Sequence, residues 1–329
     1  MARVFSGIQP SGEIHIGNWL GALRNWVALQ DQHECLYCIV DQHAITGKYD
    51  ASSLAQRTRE MAIGLLATGV DPSRSTLFVQ SHVPAHATLS WLLTTITPVG
   101  ELERMTQYKD KAQRFESIPA GILAYPVLMA ADILVYRAEA VPVGEDQIQH
   151  LELAREIARK WNHEFALGEN FFPEPQPIVT GAKRIVGLDG SAKMSKSLGN
   201  TIGVTEAPEQ IWEKLRPAMT DPARVTKKDP GTPEICNIYA LHRHFSPPDT
   251  VEQVAVNCRS AAWGCIECKR VLADNMVTTL APVRERALEL AADPAQVTAV
   301  LADGAATARR LAAETMRTVA ERMGFLPEG

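Results

Sequence analysis

The sequence has no apolar stretch long enough to cross a bilayer. Its longest, Gly121 to Tyr136, runs 16 residues, contains Pro126 and carries Asp132 near its end, whereas a span needs about 20; a buried helix is the expectation. The opening residues, MARVFSGIQP, lack the charged and apolar regions of a secretion signal, so a cytosolic protein is expected. Positive charge is also short: 33 Lys and Arg against 38 Asp and Glu leave a net charge of −5. No global field therefore advertises a nucleic acid, and any such contact must rest on local patches such as Arg224, Lys227 and Lys228. Neither a Gly-x-x-x-x-Gly-Lys-Ser/Thr loop nor a Gly-x-Gly-x-x-Gly turn is present, which removes the signatures of kinase-like and dehydrogenase chemistry. Internal repeats and low-complexity tracts are absent too.

What is there fits a globular protein with a sizeable core: 46% hydrophobic and 22% charged residues over 329 positions, enough for a core domain plus a second one. Strands are expected at 2–8, 35–40, 76–80 and 140–143. Helices are expected at about 16–29, 52–68 (entered after Asp50), 88–97, 102–116, 121–136 and 146–161. Strands alternating with helical crossovers argue for an α/β fold, a Rossmann-like doubly wound parallel sheet. From Phe171 to Asn200 the pattern breaks into a Pro- and Gly-rich stretch, and beyond Pro208 no convincing strand follows. Asp293-Pro294 reads as a helix start, Asp303-Gly304 as a break between the last two helices, and Gly324 as the end of the final one. The expected division is residues 1–205, a Rossmann-like catalytic domain, and residues 206–329, an all-helical domain.

Two segments carry nucleotide chemistry. Gln9-Pro-Ser-Gly-Glu-Ile-His-Ile-Gly-Asn18 lies between the first strand and the first helix, where free N–H groups and the helix dipole favour phosphate. Gly17 permits close backbone approach and His15 offers a donor, although a tight turn with an exposed His would look the same. The second segment is Lys193-Met194-Ser195-Lys196-Ser197, flanked by Gly187, Gly190 and Gly199. Its two lysines can close on a triphosphate, or it is a solvated basic loop. Together and in this order, the segments resemble the HIGH and KMSKS signatures of class I aminoacyl-tRNA synthetases, the first as the variant HIGN. The stretches YPVLMAADILVYRAEAVPVGEDQ (Tyr125–Gln147) and FSGIQPSGEIHIGNWLGAL resemble the tryptophanyl-tRNA synthetase family in particular.

That resemblance implies an ATP- and Mg²⁺-dependent, homodimeric ligase, with an α/β active-site domain and a helical domain that reads the anticodon of tRNA(Trp). It implies that Gln9, Pro10, Ser11, His15, Gly17 and Asn18 hold ATP, with Gly144, Glu145 and Asp146 at the ribose and Val186 at adenine. Lys193, Met194, Ser195, Lys196 and Ser197 meet the phosphates, and Lys196, Lys193 and Lys111 are the catalytic candidates. Asp132 has a reading of its own. A carboxylate in an apolar helix needs a donor, which is either an indole N–H, as the resemblance implies, or a neighbouring Arg or Tyr. Phe5, Gly7, Met129, Val141 and Val143 would wall the tryptophan, and Tyr125 and Gln147 would meet its ammonium end. His43 either touches substrate or caps its loop.

Cys236, Cys258, Cys265 and Cys268 follow the spacing C-x21-C-x6-C-x2-C, a metal signature in a cytosolic chain. All-thiolate ligation suits zinc or iron–sulfur; resemblance to bacterial relatives with a C-terminal [4Fe–4S] motif favours the latter. Cys35 and Cys38 fall on opposite faces of an expected strand and read as core. The rivals are a tyrosyl-tRNA synthetase, which shares fold and signatures, and a non-charging RNA-binding paralogue with a redox-sensing cluster.

Overall fold

The computed structural model describes residues 1–113, 115–144, 147–179, 185–190 and 193–326. Five strands, β1 Arg3–Ile8, β2 Glu34–Ile39, β3 Ser75–Val79, β4 Ala140–Val143 and β5 Gln176–Val179, form one sheet in the spatial order β3-β2-β1-β4-β5. Every neighbouring pair is parallel, with Phe5 opposite Leu36 and Val4 opposite Ala140. The order reverses at β1, so the carboxyl ends of β1 and β4 flank the switch point at which such sheets bind ligands. Val4, Phe5, Leu36, Tyr37, Ile39 and both Cys35 and Cys38 are buried, because helices cover both faces of a parallel sheet. The doubly wound α/β expectation holds.

β5 was not expected, since Pro177 interrupts its apolar run. It is tolerable there because β5 is an edge strand with only β4 as a neighbour. The expected 102–116 helix is two, Val99–Arg104 and Thr106–Ala112. They are separated by Met105, whose extended backbone (ψ 125°) delivers its side chain to the core. The Ala51–Ala67 helix starts as anticipated, with the Asp50 carboxylate accepting the Ser52 N–H at 3.0 Å. The helix expected at 16–29 contains a π turn at Trp19–Leu23.

The chain divides into two compact units. The first is Met1–Gly12, Arg24–Gly181 and Asp293–Gly329, the second Glu13–Leu23 and Ala182–Ala292. A single cut at residue 206 does not describe them, and the final helix supplies one reason. It runs without a break from Pro294 to Arg322, capped by Asp293, through the Asp303-Gly304 pair expected to divide it. Gly304 serves close packing instead: a Cβ there would lie 1.9 Å from the Leu77 carbonyl oxygen of β3. Ala305, Ala308, Leu311 and Ala312 follow it into the core that holds Phe78, so this helix belongs with the sheet.

The second unit joins the segment after Gly12 to the 202–204 strip and to helices Pro208–Leu215, Asn237–Phe245, Pro248–Arg259 and Cys265–Ala292. No described helix is long and apolar enough to cross a membrane.

Candidate functional site

In the first unit the centre is Asp132, 1% exposed on the Ala120–Leu134 helix. Its Oδ1 meets Gln80 Nε2 at 2.7 Å and His86 Nδ1 at 2.6 Å; its Oδ2 meets His43 Nε2 at 2.7 Å. Burial alone would raise the carboxyl, but the contacts with His43 and His86 outweigh it and hold Asp132 below the usual carboxylate range. The partners are therefore two histidines and a glutamine, not the Arg or Tyr expected of a merely structural Asp. The Gln80 amide is itself oriented, since its Oε1 accepts the Gln42 N–H at 3.1 Å. Gln80 follows β3 directly, and His43 lies in the Asp41–Ala44 helix after β2. Consecutive parallel strands thus deliver both donors from their carboxyl ends.

Other expected amino-acid contacts gather in this unit. Tyr125 and His43 stand nearly perpendicular, with ring centroids 6.5 Å apart. Its hydroxyl donates to Gln107 Oε1 at 3.3 Å and contacts His150 Nε2 at 2.8 Å, and burial pushes the phenol up to about 12. Lys111 Nζ stands 3.9 Å from the centre of the Tyr125 ring. Phe5 is buried on β1 and stacked on Tyr136, Val141 and Val143 are buried on β4, and Met129 packs half-buried on the Asp132 helix. Gly7 lies exposed on β1. Gln147 caps the Ile148–Phe165 helix, its N–H donating to Gly144 O at 3.0 Å. Glu145 and Asp146 lie outside the described residues. Gln9, Pro10 and Ser11 leave β1 in a turn closed by Ser11 N–H to Gln9 O at 2.8 Å. His86, Gln80 and Tyr136 were missed. Gln80 carried a signal, a Gln at a strand's carboxyl end; His86 precedes the helix expected at 88–97 and carried none.

The second unit unites the two signature segments. Ile16 N–H donates to Ile202 O and Val204 N–H to Ile14 O, both at 2.9 Å, and His15 bridges Gly203. His15 is buried, and its Nδ1 accepts the Asn18 N–H at 3.3 Å, capping the short helix that starts at Ile16. Gly17 is obligatory here: a Cβ would lie 2.9 Å from His15 Nδ1 and 3.3 Å from the Met194 Cβ. Met194 is buried; Lys193, bridged to Val186, is exposed. Asn200 Oδ1 accepts the Ser195 N–H at 2.7 Å, ahead of the one-turn helix Lys196–Leu198 that includes Ser197. Burial, then Lys196 and then Lys193 depress His15 to about 4, so it is a neutral imidazole at physiological pH. Burial lowers Lys196 below the usual lysine value, with Glu13 opposing. The unit thus sets the positive charge of Lys193 and Lys196 beside His15, a setting suited to phosphate.

Cys236, Cys258, Cys265 and Cys268 line one narrow cavity with Asp221, Arg224 and Trp263. Burial raises Cys258 and takes Cys268 up to about 12, with the neighbouring thiols adding to the shift. Arg224 Nε is buried there without a hydrogen-bond partner among the described residues. As they stand, no three described His, Cys, Asp or Glu side chains are arranged to hold a metal ion.

The family model for class I tRNA synthetases (W and Y) matches residues 1–281. The chain is 55% identical to the tryptophan–tRNA ligase of Deinococcus radiodurans over 99% of both chains. It is 43% identical to that of Thermotoga maritima, over 98% of this chain and 99% of the other. Among solved structures it resembles the tryptophanyl-tRNA synthetase of Campylobacter jejuni complexed with ADP and tryptophan. The TM-score is 0.91 at 35% identity, covering 98% of this chain and 100% of that one.

Proposed function

The chain belongs to the class I tRNA synthetases of the W and Y type, and from that membership we propose how it acts as a tryptophan–tRNA ligase. ATP activates L-tryptophan as tryptophanyl-AMP, and the terminal ribose of tRNA(Trp) then takes the tryptophanyl group. The observation that carries this reading is the backbone pairing of the His15–Asn18 segment with the strip that follows Lys193–Ser197.

The tryptophan carboxylate is already ionised and attacks the α-phosphorus, expelling pyrophosphate. No protein base is needed, and the work is positioning and charge stabilisation. His15, neutral, donates a hydrogen bond to a phosphate oxygen. Lys193 and Lys196 meet the negative charge that grows on the leaving pyrophosphate, with Mg²⁺ accompanying the ATP. Gln9, Pro10, Ser11, Gly17, Asn18, Met194, Ser195 and Ser197 hold the nucleotide; Gly144, Glu145 and Asp146 meet its ribose, and Val186 its adenine. Lys111, over the Tyr125 ring, is the third lysine of the pyrophosphate set. Among the described residues Asp132 Oδ2 has one partner, His43, and a lone pair to spare, so it accepts the indole N–H. His43, Phe5, Gly7, Met129, Val141 and Val143 bound the ring, and Tyr125 and Gln147 meet the ammonium. An acceptor of this kind rejects analogues lacking the N–H far better than packing alone does.

An all-sulfur ligand set is supported by the chemistry of the lining rather than by its present arrangement: four cysteines share the cavity, and Asp221 is already occupied by the Ala223 and Thr232 N–H groups. Cys236, Cys258, Cys265 and Cys268 would hold a [4Fe–4S] cluster, with zinc as the alternative, and the group would clip helices of the anticodon-reading part together. The enzyme works as a cytoplasmic homodimer on this reading.

The test is charging of tRNA with labelled tryptophan, tyrosine serving as the control, using anaerobically purified protein assayed for iron, sulfide and zinc. Charging with tryptophan alone, on brown protein, is the expected result. Charging with tyrosine, or none from folded and metal-replete protein, would contradict it.

A further inference from the structure

Behind Asp132 lies a chain of groups that touches no substrate atom in the reading above. His86, fully buried on the Ala85–Ile96 helix, spans two partners: its Nδ1 is 2.6 Å from Asp132 Oδ1 and its Nε2 is 2.7 Å from the Tyr136 hydroxyl. Tyr136 is itself fully buried, stacked on Phe5 at 5.8 Å and set edge-on to Phe78 at 5.6 Å, so its hydroxyl is held in place.

The direction of each hydrogen bond follows from what the groups can do. Asp132, ionised, only accepts, so His86 Nδ1 carries a hydrogen. Among the described residues the Tyr136 hydroxyl has no other hydrogen-bond partner than His86 Nε2. A buried O–H must donate somewhere, so it donates to that nitrogen. His86 is thereby fixed as the neutral tautomer with its proton facing Asp132. With Gln80 Nε2 as the second donor, both acceptor positions of Oδ1 are used, and the plane of the carboxylate is set. Among the described residues Oδ2 has His43 on one side and one open lone pair of defined direction.

We propose that Tyr136 and His86 are positioning residues for indole recognition: the Tyr136 hydroxyl locks the His86 tautomer, and His86 aims the free lone pair of Asp132 at the indole N–H. This rests on the proposed contact between Asp132 and tryptophan, and it makes selectivity for an N–H depend on a hydroxyl two hydrogen bonds away from it.

The test is pyrophosphate–ATP exchange measured with tryptophan and with 3-(benzothienyl)alanine, which keeps the ring shape and replaces the N–H by sulfur. The readout is the ratio of the two kcat/KM values. Asp132→Asn, run alongside, tests the underlying contact and should collapse the ratio. Tyr136→Phe removes one hydroxyl at constant shape and should cut the ratio by about 10-fold through tryptophan alone. His86→Leu should cut it further, and His86→Asn, whose amide can donate where Nδ1 does, should restore most of it. If Asp132→Asn collapses the ratio while Tyr136→Phe and His86→Leu lower both substrates alike, His86 and Tyr136 are packing residues and the inference falls. If Asp132→Asn leaves the ratio unchanged, the Asp132 contact is itself wrong and the inference falls with it. Should His86→Leu not fold, Tyr136→Phe alone still decides.

Discussion

Around Asp132 the protein encloses an anion and spends three donors on it, Gln80, His43 and His86, leaving one acceptor position over. Around His15 it does the reverse: burial, then Lys196 and Lys193, depress the imidazole, and Glu13 opposes only the shift of Lys196. The first group is nearly complete and awaits a single neutral donor; the second is unbalanced and awaits an anion. The contrast teaches that the ligand of a buried polar group can be inferred from what the protein leaves unmatched, since an uncompensated charge or donor is costly unless something arrives to meet it. An indole N–H fits the first remainder and a polyphosphate the second.

The sharpest way to break the contrast is Lys196→Ala. Removing the cation should lower kcat for tryptophan-dependent exchange by about 10²–10³-fold, with a much smaller change in the KM for ATP, because its work is done as charge leaves. Steady-state exchange kinetics read both constants, and an unchanged kcat would remove Lys196 from the transition state. Asp132→Asn comes next: losing the carboxylate should cost about 10- to 100-fold in kcat/KM for tryptophan and leave the KM for ATP unaltered. Gly17→Ala sharpens the second group, because the added methyl meets the His15 ring and Met194. A fall in stability of about 1–3 kcal/mol is expected by denaturant melts, with weaker ATP binding.

The smallest effect is a titration. His15 should titrate near 4 by NMR and move upward when pyrophosphate binds, as the new anion favours the imidazolium. The sign for stability follows: the folded value lies below the ordinary 6.5, so the unfolded chain takes the proton first as pH falls. His15's contribution is therefore full above about pH 6.5 and is lost between there and about 4. A His15 midpoint near 6.5 would contradict its burial first, and the nearness of Lys196 and Lys193 with it.

Much of this was legible in the residues. The parallel sheet followed from alternating periods, the carboxyl end of β1 from the Gly-bearing segment at 9–18, and that of β4 only from the family resemblance at Gly144. Asp132 announced itself as a charge in an apolar run. What was not legible depended on contacts distant in sequence. His86 lies 46 residues from Asp132 and 50 from Tyr136, and nothing local in the Ala85–Ile96 helix marks it as a donor to the carboxylate. Gly304 reads as a breaker because the Leu77 carbonyl that demands a glycine is supplied by β3. β5 stayed hidden because Pro177 violates strand propensity and only its edge position excuses it.

The most direct test of the account is pyrophosphate–ATP exchange by the purified protein with tryptophan, with tyrosine and with no amino acid. Exchange that requires tryptophan and is lost in Lys196→Ala is the predicted result. Exchange supported equally by tyrosine would contradict the reading of Asp132, and none at all from folded protein would contradict the reading of both groups.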